Sequence, residues 1–354
     1  MPTLSIVIVS YNTRDLLDQC LKSVAEQTQV DHEVIVVDNA SKDGTAPLVA
    51  ERHPNVRLVA NSANLGFPSA NNQGLKIASG RYRVLLNPDT LLIDRTLDRM
   101  VEYLDAHPDV GVIGAEMVGP DGNLRRYETW YPTLLSYLAN SMMLRIWGGR
   151  GTREVEYVSG ACLMIRQETM QQIGLLDENI FMYAEDTDWC MRAKRAGWKI
   201  YYCAEARFFH LAGGSSGRDV AARVVNIRQA KLYFFKKHYG WLSYALLKGI
   251  MLAESLTKIL FDTVTYAWTN KDRRGFKKGR MRGYSLLVRS LGRSPTFIKP
   301  GGYRHAEESR WRNSHATSAL LEADMLHRYG QGFPEGTETS GWMSRKHFHK
   351  GSDR

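Results

Sequence analysis

The chain has little cysteine. Its four, Cys20, Cys162, Cys190 and Cys203, are spread over 354 residues without C-x-x-C spacing. That pattern suggests neither a zinc site nor a disulfide framework, and it fits a reducing cytosol. A basic stretch ahead of an apolar one is missing from the amino terminus, where Leu4-Ser5-Ile6-Val7-Ile8-Val9 enters a strand pattern almost at once. No signal peptide is expected, so the chain should stay on the side where it is made. An uninterrupted membrane span is missing as well, because the apolar stretch from Trp241 to Trp268 carries Lys248, Glu254, Lys258 and Asp262. No recognisable DNA- or RNA-binding module accompanies the basic residues, whose aromatic neighbours are only Phe276 and Tyr284, and no nucleic-acid partner is expected.

What is present suffices for one large α/β domain and an accessory region, with 44% hydrophobic residues. The net charge of +10 is concentrated: residues 271–282 hold seven Lys or Arg and one Asp, a net +6. Anionic lipid or phosphate-bearing substrates are the partners such a charge invites.

From residue 4 to about 116, short β-branched runs alternate with amphipathic segments, the signature of βα units around a mainly parallel sheet. The expected strands are Leu4 to Val9, Glu33 to Val37, Val56 to Ala60, Arg81 to Leu86 and Val110 to Gly114. Leu16, Leu17, Cys20, Leu21 and Val24 share one helical face, with Asn12 as the expected cap and Asp15 at its third position. Gly80 and His107-Pro108 end later helices. A less regular region follows from about 117 to 225, with a strand over Tyr157 to Arg166 and a helix entered through Glu185-Asp186-Thr187-Asp188 and stopped at Gly197. Leu134 to Trp147 reads as a helix before Gly148-Gly149-Arg150-Gly151, either a hinged acceptor-side lid or a buried helix with an ordinary loop.

Each early strand leads into polar residues: Ser10-Tyr11-Asn12, Asp38-Asn39-Ala40-Ser41, Asn61 to Gly66, and Asn87-Pro88-Asp89. Ligands of open α/β sheets bind beyond the carboxyl ends of the strands, so these loops should meet at one crevice. There Asp89 could hold magnesium or manganese against phosphate oxygens, since these ions favour one or two carboxylates plus substrate phosphates; plain turn chemistry is the other reading. Three carboxylates, Glu185, Asp186 and Asp188, repel one another unless solvated, paired or bound to a cation. Asp188 stands four residues before Arg192 and is expected to form an ion pair on the helix surface, worth a few tenths of a kcal/mol. Asp186, near the helix N-terminus, is suited to a general base or to a simple cap. Two carboxylates could also serve a glycosidase, although the nucleotide-type sheet fits transfer better. His210 could complete a metal shell, with Gly213-Gly214-Ser215-Ser216 offering donors to phosphate.

Together, Ser5-Ile6-Val7-Ile8-Val9-Ser10-Tyr11-Asn12, Val36-Val37-Asp38-Asn39-Ala40-Ser41-Lys42-Asp43-Gly44-Thr45 and Asn64-Leu65-Gly66-Phe67 resemble family 2 glycosyltransferases. Adding Asn71-Asn72-Gln73-Gly74, Asn87-Pro88-Asp89, Val158-Ser159-Gly160-Ala161, Glu185-Asp186-Thr187-Asp188 and His210, the chain is similar to the rhamnosyltransferase-like branch over about residues 3 to 225. The resemblance implies a GT-A (nucleotide-diphospho-sugar transferase) fold, a nucleotide-sugar donor, a divalent metal (Mg2+ or Mn2+) and inversion at the anomeric carbon. It implies that Asp38 contacts the base or ribose with Ser10 and Tyr11 lining the same pocket, and that Asn64, Gly66 and Asn71 lie near nucleotide and sugar. It further implies that Asp89 holds the metal, His210 assists it and Asp186 deprotonates the acceptor, with Glu185, Asp188 and Arg192 structural or on the acceptor side. Many relatives have Asp-x-Asp where this chain has Asn87-Pro88-Asp89, which should weaken the metal contact; Asn87 can still hydrogen-bond on the donor side.

The expected layout is a catalytic domain over 1–225 (nucleotide part about 1–116, acceptor part about 117–225), a basic helical region over 226–300 and a loosely ordered tail over 301–354. In the helical region, Lys248, Glu254, Lys258 and Asp262 fall within an arc of about 120°, with Ser255 and Thr265 on the same side. An amphipathic helix in the interface of an anionic membrane, using residues 241–282, fits this pattern; packing on the catalytic domain or pairing with another subunit as a homo-oligomer are the alternatives. The resemblance makes the expected function an inverting transfer, from dTDP-L-rhamnose or from a UDP-sugar (Gal, GlcNAc or GalNAc), to a lipid-linked saccharide in cell-envelope polysaccharide synthesis. Its expected place is peripheral, on the cytoplasmic face of the inner (plasma) membrane. A sugar-nucleotide nucleotidyltransferase would need a Gly-rich basic loop after the first strand, where this chain has Ser10-Tyr11-Asn12-Thr13-Arg14, and a non-catalytic membrane scaffold would not need Asp89, Asp186 and His210 together.

Overall fold

Side chains alternate across the first strand, and the two faces they line become two cores. Ile6 and Ile8 pack with Leu17, Cys20, Leu21 and Val24 on one side of the sheet. Val7 and Val9 pack with Ala70, Leu75 and Trp189 on the other. The computed structural model describes residues 1–119, 122–125, 130–141, 151–211, 219–293 and 297, all within one compact unit, Met1–Ala306.

β1 (Leu4–Ser10), α1 (Arg14–Gln27), β2 (His32–Asp38), α2 (Thr45–Arg52), β3 (Arg57–Ala60), α3 (Phe67–Ile77) and β4 (Tyr82–Leu86) alternate as the sequence pattern predicts. They are followed by β5 (Thr90–Leu92), α4 (Thr96–Ala106), β6 (Val110–Val118), α5 (Leu134–Ser141), β7 (Arg153–Glu154) and β8 (Cys162–Arg166). Next come α6 (Gln167–Ile173), α7 (Glu185–Arg195), β9 (Lys199–His210), α8 (Val220–His238), α9 (Gly240–Val264) and α10 (Lys271–Ser290). The strand order is β3-β2-β1-β4-β8-β6-β9-β5, with β7 beside β9. β3, β2, β1 and β4 run parallel, so the four polar loops leave the same edge. β8 enters antiparallel between β4 and β6, while β6 and β9 are parallel to each other. This is the mainly parallel α/β sheet expected. α3 packs closely on it, because a Cβ at Gly74 would stand 2.4 Å from the Val7 side chain.

Several local expectations are corrected. Asn12 does not cap α1: it has φ +54, Thr13 is the cap residue, and the Asn12 side chain instead accepts from the Lys42 backbone N–H at 2.7 Å. It ties the β1 loop to the β2 loop, a long-range use that helix periodicity does not reveal. The strand expected from Tyr157 begins only at Cys162, because residues 158–161 form the turn that bridges the site. β6 continues four residues past Gly114, held by β9. Residues 142–150, Gly213 to Ser216 and the expected tail at 301–354 lie outside the described residues.

Candidate active site

The edge where β1, β2, β3 and β4 end is closed by hydrogen bonds between successive loops. The Asn39 N–H donates to Ser10 O at 2.8 Å and the Asn61 N–H to Asp38 O at 2.9 Å. Ser10 is fully buried with its hydroxyl against that of Thr13 at 2.8 Å, while Tyr11 remains partly exposed. Burial raises the Asp38 carboxyl above its ordinary value, against a hydrogen bond from the Ser41 N–H.

The next contact is made by Asn39, a residue the sequence reading quoted but gave no role. Its amide donates to Asn64 Oδ1 at 2.9 Å and to Gly66 O at 3.2 Å, and its Oδ1 accepts from the Leu65 N–H at 3.0 Å. Asn64 thus shapes the loop, its Oδ1 also accepting from the Gly66 N–H. Asn71 is buried inside α3 and donates to Phe67 O. Gly66 has φ +89, and a Cβ there would lie 2.7 Å from Phe181 O and from the Phe181 ring. Beside it the Phe67 N–H donates to Phe181 O at 2.8 Å, so the loop after β3 is seated on the segment that leads into α7.

α7 starts after two left-handed residues, Tyr183 and Ala184, with Ala184 as cap; Asp186 is therefore within the first turn and is not the cap. One Asp186 oxygen accepts from the Gly160 N–H at 3.0 Å, and the other from the Thr187 N–H at 2.6 Å and the Thr187 hydroxyl at 3.1 Å. Burial lifts the Asp186 carboxyl above its ordinary value while these three donors favour the charged form. Glu185 differs. Burial first, and then the charge of Asp186, push it up to about 8, and its Oε2 has no hydrogen-bond partner among the described residues. Burial thus disfavours charge on both members of the pair, and the Gly160 and Thr187 donors oppose it at Asp186.

The turn that touches Asp186 also touches the Asn87-Pro88-Asp89 loop. The residue after Gly160, Ala161, accepts through its carbonyl from the Asn87 N–H at 2.9 Å. Antiparallel pairing of β5 with β9 sets Thr90 opposite His210, and this brings His210 Nε2 to 3.2 Å from Asp89 Oδ1. The two side chains named for a metal thus meet, both partly accessible, as a carboxylate and an imidazole. Among the described residues no group of three His, Cys, Asp or Glu side chains could hold a metal. A two-ligand donor set of this chemistry fits a hard cation that takes its remaining ligands from phosphate and water.

Asp188 is not on the surface as expected. Its side chain is 1% exposed and meets Arg192 at 2.9 Å, Lys237 at 2.7 Å and His238 at 2.7 Å. Burial pushes its carboxyl up, but hydrogen bonds from His238 and Lys237 and the charge of Arg192 outweigh burial and hold it below its ordinary value. Lys237 also reaches Asp177 at 2.6 Å, so α8 grips both α7 and the segment before it. Sequence offered no sign of this, since the partners lie about fifty residues apart. The cysteines are all free and buried; burial pushes the Cys20 and Cys190 thiols up to about 12, far from a thiolate at neutral pH.

Residues 5–174 match the model of glycosyl transferase family 2. Over that segment, a little under half of the chain, it is similar to this family. It is thus a glycosyltransferase, and curated relatives agree. N-acetylglucosaminyl-diphospho-decaprenol L-rhamnosyltransferase of Mycobacterium tuberculosis is 28% identical over 263 residues, 67% of this chain and 86% of that protein. Low-salt glycan biosynthesis hexosyltransferase Agl10 of Haloferax volcanii is 26% identical over 222 residues, 58% of this chain and 66% of its own. Among solved structures, GalNAc-T7 with UDP, GalNAc and Mn2+ aligns with 66% of this glycosyltransferase at a TM-score of 0.49 and 17% identity; the chain spans half of that protein.

Proposed function

We propose that this glycosyltransferase moves a sugar, with inversion, from a nucleotide-diphosphate donor to a lipid-linked saccharide at the cytoplasmic face of the plasma membrane. The donor is dTDP-L-rhamnose and the product enters cell-envelope polysaccharide synthesis. The observation that carries the reading is the Gly160–Ala161 turn, which holds Asp186 on one side and the Asn87-Pro88-Asp89 loop on the other. A base and a diphosphate-binding carboxylate within reach of one turn is the arrangement that transfer needs. The choice of sugar and acceptor is supported by the mycobacterial relative, an N-acetylglucosaminyl-diphospho-decaprenol L-rhamnosyltransferase.

In the reaction, Asp186 takes the proton of the acceptor hydroxyl as its oxygen attacks the anomeric carbon. The bond from that carbon to the diphosphate oxygen breaks, and the nucleoside diphosphate leaves with the electron pair. Asp89 and His210 would hold a divalent cation, whose Lewis acidity stabilises charge on the departing diphosphate. Asp38, at the carboxyl end of β2, faces the nucleoside side, with Asn64 and Gly66 shaping the neighbouring loop.

The test is transfer to a polyprenyl-diphospho-N-acetylglucosamine acceptor with dTDP-L-rhamnose, UDP-Gal, UDP-GlcNAc and UDP-GalNAc in parallel. Product only with dTDP-L-rhamnose is expected; product only with a UDP-sugar would overturn the donor and leave the fold and base in place. Exhaustive chelation is expected to remove transfer, and Mn2+ or Mg2+ to restore it. Full turnover in chelator would show that Asp89 and His210 serve another purpose.

A further inference from the structure

α9 turns its acidic side chains inward, alongside the buried Leu247 and Met251, and carries a second set of apolar side chains outward. Glu254 accepts from Arg228 of α8 at 2.9 Å and from the Tyr137 hydroxyl of α5 at 2.5 Å. Asp262 is fully buried and paired with Arg280 of α10 at 2.7 Å, and Ser255 is buried beside Met251. Glu254 and Asp262 are the two acidic residues of α9. The opposite face carries Leu242, Leu246, Leu256, Leu260 and Val264, at steps of four, ten, four and four residues that return to one side of the helix, each more than half exposed. Trp241 and Trp268, just inside the start of the helix and just past its end, are more than three-quarters exposed. α5 packs beside α9, and its Leu135 and Leu138 are exposed as well. With 25 residues α9 is about 37 Å long at about 1.5 Å per residue, and its exposed leucines form a continuous stripe rather than single scattered side chains.

Among the described side chains of α9 and α10, the exposed charges are all cationic. Some cations of the basic run serve the fold: Arg274 donates to Thr269 O, Lys277 to Thr265 O, and Arg280 pairs with Asp262. Arg273 and Lys278 of α10 and Lys258 of α9 are exposed. Exposed tryptophans at both ends of an apolar stripe, with cations alongside, match the water–lipid boundary of an anionic leaflet. No described helix is long and apolar enough to cross a membrane.

We propose that the outward face of α9, extended by Leu135 and Leu138 of α5 and accompanied by the exposed Arg273 and Lys278 of α10, lies in the interface of an anionic phospholipid bilayer. The proposal deepens the reading of a lipid-linked acceptor, but it is read out without donor or acceptor, so its failure and the failure of that reading are separate results.

The experiment is flotation of the full chain with vesicles of phosphatidylcholine alone or mixed with phosphatidylglycerol. Binding at least about tenfold stronger to the anionic vesicles, and weakened by salt, is expected. The triple variant Leu246→Ser, Leu256→Ser, Leu260→Ser should lose at least about tenfold in partitioning with an unchanged circular dichroism spectrum and melting temperature. The double variant Arg273→Ser, Lys278→Ser should lose several-fold on anionic vesicles only. Equal flotation of the triple variant, or wild type that does not float, overturns the proposal. A non-floating wild type that sediments as a dimer, with a monomeric triple variant, would instead give the face to a second copy of this chain.

Discussion

Asp186→Asn is expected to lower turnover by about two to four orders of magnitude while the donor still binds. The substitution keeps the side chain's size, and its single amide oxygen still accepts from the Thr187 N–H and hydroxyl, while the amide nitrogen replaces the oxygen that accepts from the Gly160 N–H. What it removes is the site that takes the acceptor proton. Steady-state transfer gives the loss, and thermal shift with donor gives the retained binding. The pH profile separates this from a merely structural role. Burial raises the Asp186 carboxyl above the ordinary 3.8, so the acid limb of kcat/KM in the wild type should lie above that value and vanish from the residual activity of the variant. Normal turnover in Asp186→Asn would assign the base elsewhere.

Asp188→Ala should destabilise the fold by about 3–5 kcal/mol, because it leaves His238 and Lys237 facing Arg192 with no anion between them. The expected surface pair would have contributed only a few tenths of a kcal/mol, and burial makes the difference. The pH dependence has a definite sign. The folded carboxyl lies below its ordinary 3.8, so its contribution is present above that value and is lost as the pH falls through the folded value. Urea unfolding at pH 7 should show the full loss in the variant, and the gap between variant and wild type should narrow in acid below about pH 4. An equal gap at both pH values would mean that packing, and not charge, sets the cost.

The parallel half of the sheet was legible because β1, β2 and β4 are uninterrupted β-branched or aliphatic runs whose alternate residues enter two cores. β9 was not. Its apolar residues are broken by Glu205 and Arg207, and only the structure shows Arg207 paired with Glu116 across a shift in register between β6 and β9. The carboxylates of the candidate site were legible for the same reason as the strands: each follows a clear strand or opens a clear helix. Their partners were less so. Asp89 and His210 meet through β5, three residues long, and Asp188 meets α8 by tertiary packing alone. Asn12 misled because its amide suits a helix cap as well as the loop contact it makes with Lys42. On α9 the charged arc was legible, and its direction was not: periodicity shows that a helix has two faces but leaves open which of them meets protein.

The seat of Gly66 on Phe181 has a bearing on how such enzymes can be recombined. The loop proposed to shape the donor side and the segment that leads to the proposed base are fitted to each other across more than a hundred residues of sequence, with no room for even one methyl group between them. A chimaera that joins the first half of this chain to the second half of a relative would cut through that fit. Segment exchange meant to alter the donor should therefore carry residues 64–67 and Phe181 together, and a crossover placed between them is expected to yield proteins that bind nucleotide yet hold the base out of line.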